Sequence, residues 1–227
     1  MNLKEKLYQI RNNILFAQET HGFDHSVEIV AVTKTRPFNY IKECYKAHIF
    51  AIGENRIQEA VEKFQPFSDM PKLIKRFIGH LQSNKVNKCL DLFDAVDSVD
   101  SIKLARKISN RAASLGKTVP VLLEVNTSRE PQKGGFNPDM VDEMLSCINE
   151  KNIEVNGLMT VGPNTGDKEK IRQSFIELRE LSHYLNQQYG ENRLKELSMG
   201  MSGDYKLAVE EGSTIVRLGT ALFGHRE

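Results

Sequence analysis

The chain has almost no net charge: 31 Lys and Arg stand against 30 Asp and Glu, a formal +1 over 227 residues. That removes any general electrostatic reason to bind nucleic acid or an anionic membrane. Cysteine is scarce. Cys44, Cys89 and Cys147 are odd in number, far apart and never in a CxxC pair, which argues against a disulfide framework or a zinc site and for a reducing compartment. No apolar run approaches the length that spans a bilayer. The first residues lead into a charged amphipathic helix, not the apolar core of a signal peptide. A cytoplasmic protein without nucleic-acid or membrane partners is expected. Repeats, low-complexity linkers and breaks in composition are also missing, so one domain over 1–227 is expected.

Several chemical signatures fail as well. No GxGxxG follows the first strand pattern. Gly116-Lys117-Thr118 resembles the end of a phosphate loop, but Arg111 stands where its first glycine belongs and no strand precedes it. Ser202 lacks the GxSxG context of a nucleophile elbow. His21 and His25 are four apart, but Gly22 interrupts the helix they would need and no third ligand is near. Cys44 and Cys147 fall on helical apolar stripes, and Lys85 and Lys88 read as a solvated helix face. No pair of carboxylates is clearly placed for acid–base work.

What is present is alternation. Hydrophobic content of 40% and charged content of 27% are those of an ordinary globular protein. Leu3, Leu7, Ile10, Ile14 and Ala17 share one helical face within an N-terminal helix over 1–22. Candidate strands follow at 27–33, 48–52, 75–79, 93–97, 119–125, 153–159, 194–199 and 214–218. Helical stripes lie between them: Ile102, Ala105, Ile108, Ala112 and Leu115, closed by Gly116; Val141, Met144, Leu145 and Ile148 after an Asn137-Pro138 cap; and Ile171, Phe175, Leu178, Leu181 and Leu185. Eight strands alternating with helices predict an α/β fold, the (β/α)8 TIM barrel, with the extra N-terminal helix plugging or flanking it. An open doubly wound sheet is the competitor.

Lys34 ends the β-branched run of strand 1. An ammonium is rarely buried without a partner, and amines at such places are often made nucleophilic toward aldehydes by desolvation. The alternative is a lysine snorkelling to water from a strand end. Barrel active faces form at strand C-termini, and the phosphate site frequently comes from the loops after strands 7 and 8. Those loops read Ser198-Met199-Gly200-Met201-Ser202-Gly203-Asp204 and Arg217-Leu218-Gly219-Thr220, small and hydroxyl-rich enough to expose backbone N–H groups to an anion. With strand 8 beside strand 1, an amine and an anion cradle would suit a small phosphorylated aldehyde, and pyridoxal 5′-phosphate is such a molecule. Arg217 is expected to face inward, either salt-bridged to a buried carboxylate or against a pyridine nitrogen.

The stretches AVTKTRP (31–37), IGENRIQE (52–59), FIGHLQSNK (77–85), LEVNTSREPQKGGF (123–136), GLMT (157–160) and LSMGMSGDYKLAVEEGSTIVRLGTALFG (197–224) together resemble the pyridoxal phosphate homeostasis (YggS/PROSC) family. The ending more distantly resembles the barrel domain of alanine racemases. The resemblance implies a fold-type III barrel with pyridoxal 5′-phosphate on Lys34 as an internal aldimine. It implies Ser202, Gly219 and Thr220 at the phosphate with Ser198 near it, Arg217 at the pyridine nitrogen, and Asn55, His80 and Met159 lining the pocket. Lys133 matches a lysine the family often keeps and reads as a solvated loop lysine or a second aldehyde acceptor. Arg129-Glu130-Pro131-Gln132 departs from the family pattern and leaves the shape of that loop open.

Two functions remain. One is a protein that binds and supplies the cofactor inside the cell, with no catalytic residues and with pyridoxal-dependent apoenzymes as partners. The other is an amino-acid racemase or related pyridoxal enzyme. Racemases of this fold carry a further C-terminal β domain with a tyrosine base, whereas this chain stops just after strand 8. Two-base chemistry needs an acid and a base on opposite faces, and no second base is evident beside Lys34. The binding protein, as a monomer, is the expectation.

Overall fold

The β-branched runs become strands β1 (Glu28–Val32), β2 (Ala51–Glu54), β3 (Ile74–Phe77), β4 (Ala95–Val99), β5 (Val119–Glu124), β6 (Ile153–Met159), β7 (Glu196–Met201) and β8 (Ile215–Leu218). In the computed structural model, which describes residues 2–64, 67–190 and 192–224, they form a closed parallel barrel in sequence order. Closure pairs β1 with β8, setting Val30 beside Arg217 and Ala31 beside Leu218. Between the strands run α2 (Phe38–Lys46), α3 (Ile57–Lys63), α4 (Val86–Leu92), α5 (Ile102–Ser114), α6 (Val141–Ile148), α7 (Lys168–Tyr189) and α8 (Tyr205–Glu210), with α9 (Thr220–Phe223) after β8. This is the expected TIM barrel.

The N-terminal helix α1 (Leu3–His21) flanks the barrel and does not plug it. Asn2 and Glu5 form a reciprocal capping box at its start, and Gly22 at φ 74° ends it, a left-handed position that glycine adopts without strain. Leu7, Ile10, Ile14 and Ala17 pack on Tyr205 and Val209 of α8, on Val216 and Leu218 of β8, and on Leu222 of α9. The apolar stripe seen in the sequence therefore seals the seam where the barrel closes.

Alternation along each strand separates two cores. Val30, Ala51, Leu122, Met159 and Ile215 fill the barrel interior. Their neighbours, such as Leu123, Leu158 and Val121, point out to Ile108, Phe175 and Leu178 on the helices. At the N-terminal end of the barrel a charged layer follows, with Arg76 Nε 2.8 Å from Asp97 and its guanidinium 3.5 Å from Glu28.

Strand boundaries depart from expectation mainly at β2, at β4, which runs over 95–99 and not 93–97, and at β7. β2 runs over 51–54, later than 48–52, because α2 is followed by His48 at φ 60° and the chain has not yet straightened at Ile49. Gly53 and Glu54, expected in a loop, are therefore buried strand residues. β7 likewise reaches Met201. Asn137-Pro138 does not cap α6, whose flanking residue is Met140. Asn137 instead accepts the Asp139 N–H in an Asx turn (3.2 Å).

Gly157 sits where β6 meets β7 so closely that a Cβ would lie 1.9 Å from the Glu196 carbonyl oxygen. Gly157→Ala should lower stability by about 1–3 kcal/mol through backbone displacement, read as a reduced denaturation midpoint; an unchanged midpoint would contradict this strand spacing.

Candidate functional site

Lys34 lies just past β1, in a four-residue turn closed by the Arg36 N–H donating to the Thr33 carbonyl (3.0 Å). Its side chain is partly buried. Among the described residues its ammonium has no hydrogen-bond acceptor and no carboxylate partner. Lys34 lines a small cavity, about 60 Å³, together with Val32, Arg36, Gly219, Thr220 and Phe223. The amine and the turn after β8 therefore share one space at the C-terminal rim.

That turn is bound to the loop after β7. Ser202 Oγ accepts the N–H groups of Gly219 (3.1 Å) and Ala221 (3.0 Å). Two backbone donors thus converge on one oxygen position beside the cavity. A Cβ on Gly219 would lie 3.7 Å from Val32, taking up space on the Lys34 side.

Arg217 points into the barrel and is almost wholly buried. It donates to Ser198 through the carbonyl (2.8 Å) and Oγ (2.7 Å), and to the Thr160 carbonyl (2.7 Å). The Thr160 hydroxyl in turn donates to the Val125 carbonyl and bonds Thr127. No carboxylate lies within ion-pair distance of Arg217 among the described residues, so the expected alternative of a salt bridge is not what holds it. Burial acts to lower its pKa, while Asp97, Glu124 and Asp204 act the other way.

The remaining expected site residues are spread out. Ser198 is buried against Arg217, and Met159 belongs to the apolar interior beneath it. Asn55 is partly buried at the end of β2, with Gly79 packed on its backbone. His80 is exposed at the rim, where Nδ1 lies 3.2 Å from Asp100. Lys133 is not a solvated loop lysine: Nζ sits 2.6 Å from Glu130 and 2.7 Å from the Gly162 carbonyl. Arg129, in the divergent stretch, bonds Glu177 of α7 (2.7 Å). The loop after β5 is thus fastened to the β6–α7 segment.

The other signals are structural. His21 and His25 bond the carbonyls of Ala17 and Ser213. The three cysteines are buried, and burial pushes each thiol up to about 12, far from the thiolate that reacts. A larger cavity, about 610 Å³, lies at the opposite end between α1 and the starts of β1 and β2, and no lysine lines it. Sequence reasoning missed two features. One is the ion cluster of Glu54, Glu59 and Lys63 beneath the Lys34 turn; its only local trace is the i,i+4 spacing of Glu59 and Lys63, which an exposed helix pair would share. The other is Glu124, which shares the inward face of β5 with Leu122.

The alanine racemase N-terminal domain family matches residues 6–227. Over the whole chain the sequence is 38% identical to the pyridoxal phosphate homeostasis protein of Aquifex aeolicus, covering 100% of both. It is 37% identical to that of Vibrio alginolyticus, covering 100% of this chain and 98% of the relative. The chain belongs to the pyridoxal phosphate homeostasis protein family. Among solved structures of similar proteins, PipY of Synechococcus elongatus with pyridoxal phosphate bound superposes with a TM-score of 0.85 at 35% identity, covering 98% of this chain and all of that one. The alanine racemase of Clostridium difficile shares the fold (TM-score 0.76, 19% identity), and the match covers 99% of this chain and 60% of that one.

Within this family member, Glu124 offers a titration test. Burial raises its carboxyl above the ordinary 4.5; Asp100 adds to the rise, and Arg217 and His80 oppose it. A carboxyl that binds its proton more tightly when folded makes stability fall as pH rises from about 4.5 through the raised value, and level off above it. Glu124→Gln removes that loss. Its melting temperature relative to wild type should increase across the same window, and a pH-independent difference would refute the assignment.

Proposed function

We propose that the chain holds pyridoxal 5′-phosphate through Lys34 and serves in the supply of that cofactor inside the cell, without itself catalysing amino-acid chemistry. The observation that carries this is the shared cavity of Lys34, Gly219 and Thr220, with the amine uncommitted. The residues present fit the cofactor: a primary amine without a partner among the described residues, a hydroxyl-bearing turn in which the Gly219 and Ala221 N–H groups gather on Ser202 Oγ, and a buried cation with no ion-paired carboxylate among the described residues. The names of the full-length relatives and the cofactor in PipY support the same reading.

When bound, pyridoxal 5′-phosphate supplies an aldehyde that condenses reversibly with a primary amine and releases water. Lys34 provides that amine. Ser202, Gly219 and Thr220, with Ser198 nearby, would hold the phosphate through hydroxyl and backbone donors. Arg217, kept in place by Ser198 and Thr160, would face the ring nitrogen. A guanidinium remains protonated and disfavours a second positive charge there, so the ring is a weaker electron sink than one paired with a carboxylate. Asn55 and Met159 would border the ring, and His80 the mouth.

The racemase reading is less favoured. Likeness to alanine racemase at 19% identity extends to the fold alone. Among nearby lysines, Lys133 is committed to Glu130 and the Gly162 carbonyl, and Lys63 to Glu54 and Glu59. A second base opposite Lys34 must be free to exchange a proton.

Purified protein given the cofactor should show an absorbance band at the edge of the visible, and borohydride should abolish it while fixing the added mass on the Lys34 peptide. Lys34→Ala should lose both with its circular dichroism unchanged; protein that takes up no cofactor would sink the proposal. Incubation with L-alanine should give no sustained appearance of the D enantiomer by chiral chromatography, and steady turnover would restore the racemase.

A further inference from the structure

Lys34 occupies the second position of its turn, and the residues on either side of it are tied to the same three charged side chains. The Thr33 hydroxyl donates to Glu54 Oε1 (2.6 Å), and the Thr33 carbonyl accepts from Lys63 Nζ (2.8 Å). The Thr35 N–H donates to Glu59 Oε1. Lys63 Nζ also lies 2.7 Å from Glu54 Oε1 and 2.7 Å from Glu59 Oε1. Its three ammonium protons are thereby all used. The cluster is largely sealed: the side chains of Lys63 and Glu54 are 7% and 0% exposed.

The turn needs this support. Thr35 stands at φ 60°, at the third position of a turn, where positive φ ordinarily calls for glycine. A β-branched residue there is strained and persists only when its surroundings over-determine it. The external tie on the Thr35 amide and the double tie on Thr33 are that over-determination. They come from β2 and α3, the strand–helix unit next to β1, and not from the turn itself. Glu54 further has one buried carboxylate oxygen without a partner, a desolvated arrangement that packing alone would not favour.

We propose that Lys63, clamped between Glu54 and Glu59, is the positioning residue for Lys34: it holds the strained Thr33–Arg36 turn in the one conformation that directs the amine into the cavity beside Gly219 and Thr220. This rests on the reading of Lys34 as the amine that accepts the aldehyde. Neither Lys63 nor the two carboxylates line the cavity that Lys34 shares with Gly219 and Thr220. Their effect passes through the backbone of residues 33 and 35, and it appears in the rate at which Lys34 meets an electrophile.

The test compares wild type with Glu59→Ala, Glu59→Gln and the double variant Lys63→Met with Glu54→Gln, which removes the cluster without leaving a lone buried charge. Two readouts are taken on each: the rate of pyridoxal 5′-phosphate uptake by absorbance, and, on cofactor-free protein, acetylation of Lys34 by limiting acetic anhydride relative to exposed Lys4, by peptide mass spectrometry. Hydrogen exchange at the Thr35 amide reports whether the turn has been released. Glu59→Ala should lose Thr35 protection, whereas the double variant keeps the Glu59 acceptor and loses the Lys63 tie on the Thr33 carbonyl; both should slow uptake by about ten- to a hundredfold and change the Lys34 acetylation ratio. Glu59→Gln, which keeps an acceptor for Thr35, should behave as wild type. Unchanged uptake and acetylation in a variant whose Thr35 amide exchanges freely would overturn the proposal. If the double variant fails to fold, the Glu59 pair still decides, because Glu59 is only partly buried. If wild type takes up no cofactor, the functional reading has failed, while the acetylation ratio still judges the clamp.

Discussion

Pairing of β1 with β8 is the contact on which the site depends. It is made between the two ends of the barrel sequence, Glu28 to Ile215 and Ala31 to Leu218, and it exists only because eight strands close into a cylinder. Closure sets Lys34 against Gly219 and Thr220, and it gives the inward Arg217 a neighbour in Val30. The apolar stripe of α1 lies on α8, β8 and α9 next to that seam. Burying Leu7, Ile10 and Ile14 there stabilises the junction by roughly 1.5–3 kcal/mol per side chain. An open sheet of the same strands would leave the amine and the turn at opposite edges.

The barrel interior is layered by polarity. Glu28, Arg76 and Asp97 occupy the N-terminal end, the apolar group around Val30 and Leu122 the middle, and Arg217, Ser198, Thr160 and Thr127 the C-terminal end. The two polar layers are organised differently. Arg76 meets two carboxylates, so its charge is neutralised in place; removing one partner from such a pair costs about 3–5 kcal/mol. Arg217 meets carbonyl and hydroxyl oxygens and keeps a net positive charge beneath the rim. That difference separates a stabilising layer from one able to act on a ligand, in line with the division of labour between the two ends of these barrels.

Much of this was legible in the residues. Strand and helix periods appear directly in the spacing of Ile102, Ala105, Ile108 and Ala112, or of the run before Lys34, because period is a local property. The hydroxyl-rich loops after β7 and β8 read as an anion cradle; in the structure they are joined to each other, with Ser202 Oγ accepting the Gly219 and Ala221 N–H groups. Boundaries were less legible. β2 starts late because His48 turns the chain, and Asn137 spends its side chain on an Asx turn; both outcomes hang on single dihedral angles that composition does not encode. Lys34, Lys63 and Lys133 look alike as letters, and only their surroundings separate one uncommitted ammonium from two that are fully bonded.

By itself, the sequence determined the alternation of strands and helices, the placement of Lys34 at a strand end, and the small hydroxyl-bearing turns near the C-terminus, since each is written in the order of neighbouring residues. Tertiary structure alone decided that Lys63 supports the Lys34 turn, that Lys133 is tied to Gly162, that His80 stands out at the rim, and that no carboxylate among the described residues forms an ion pair with Arg217. Those are contacts between segments far apart in the chain, and their partners follow from strand register and barrel closure, which no local pattern specifies.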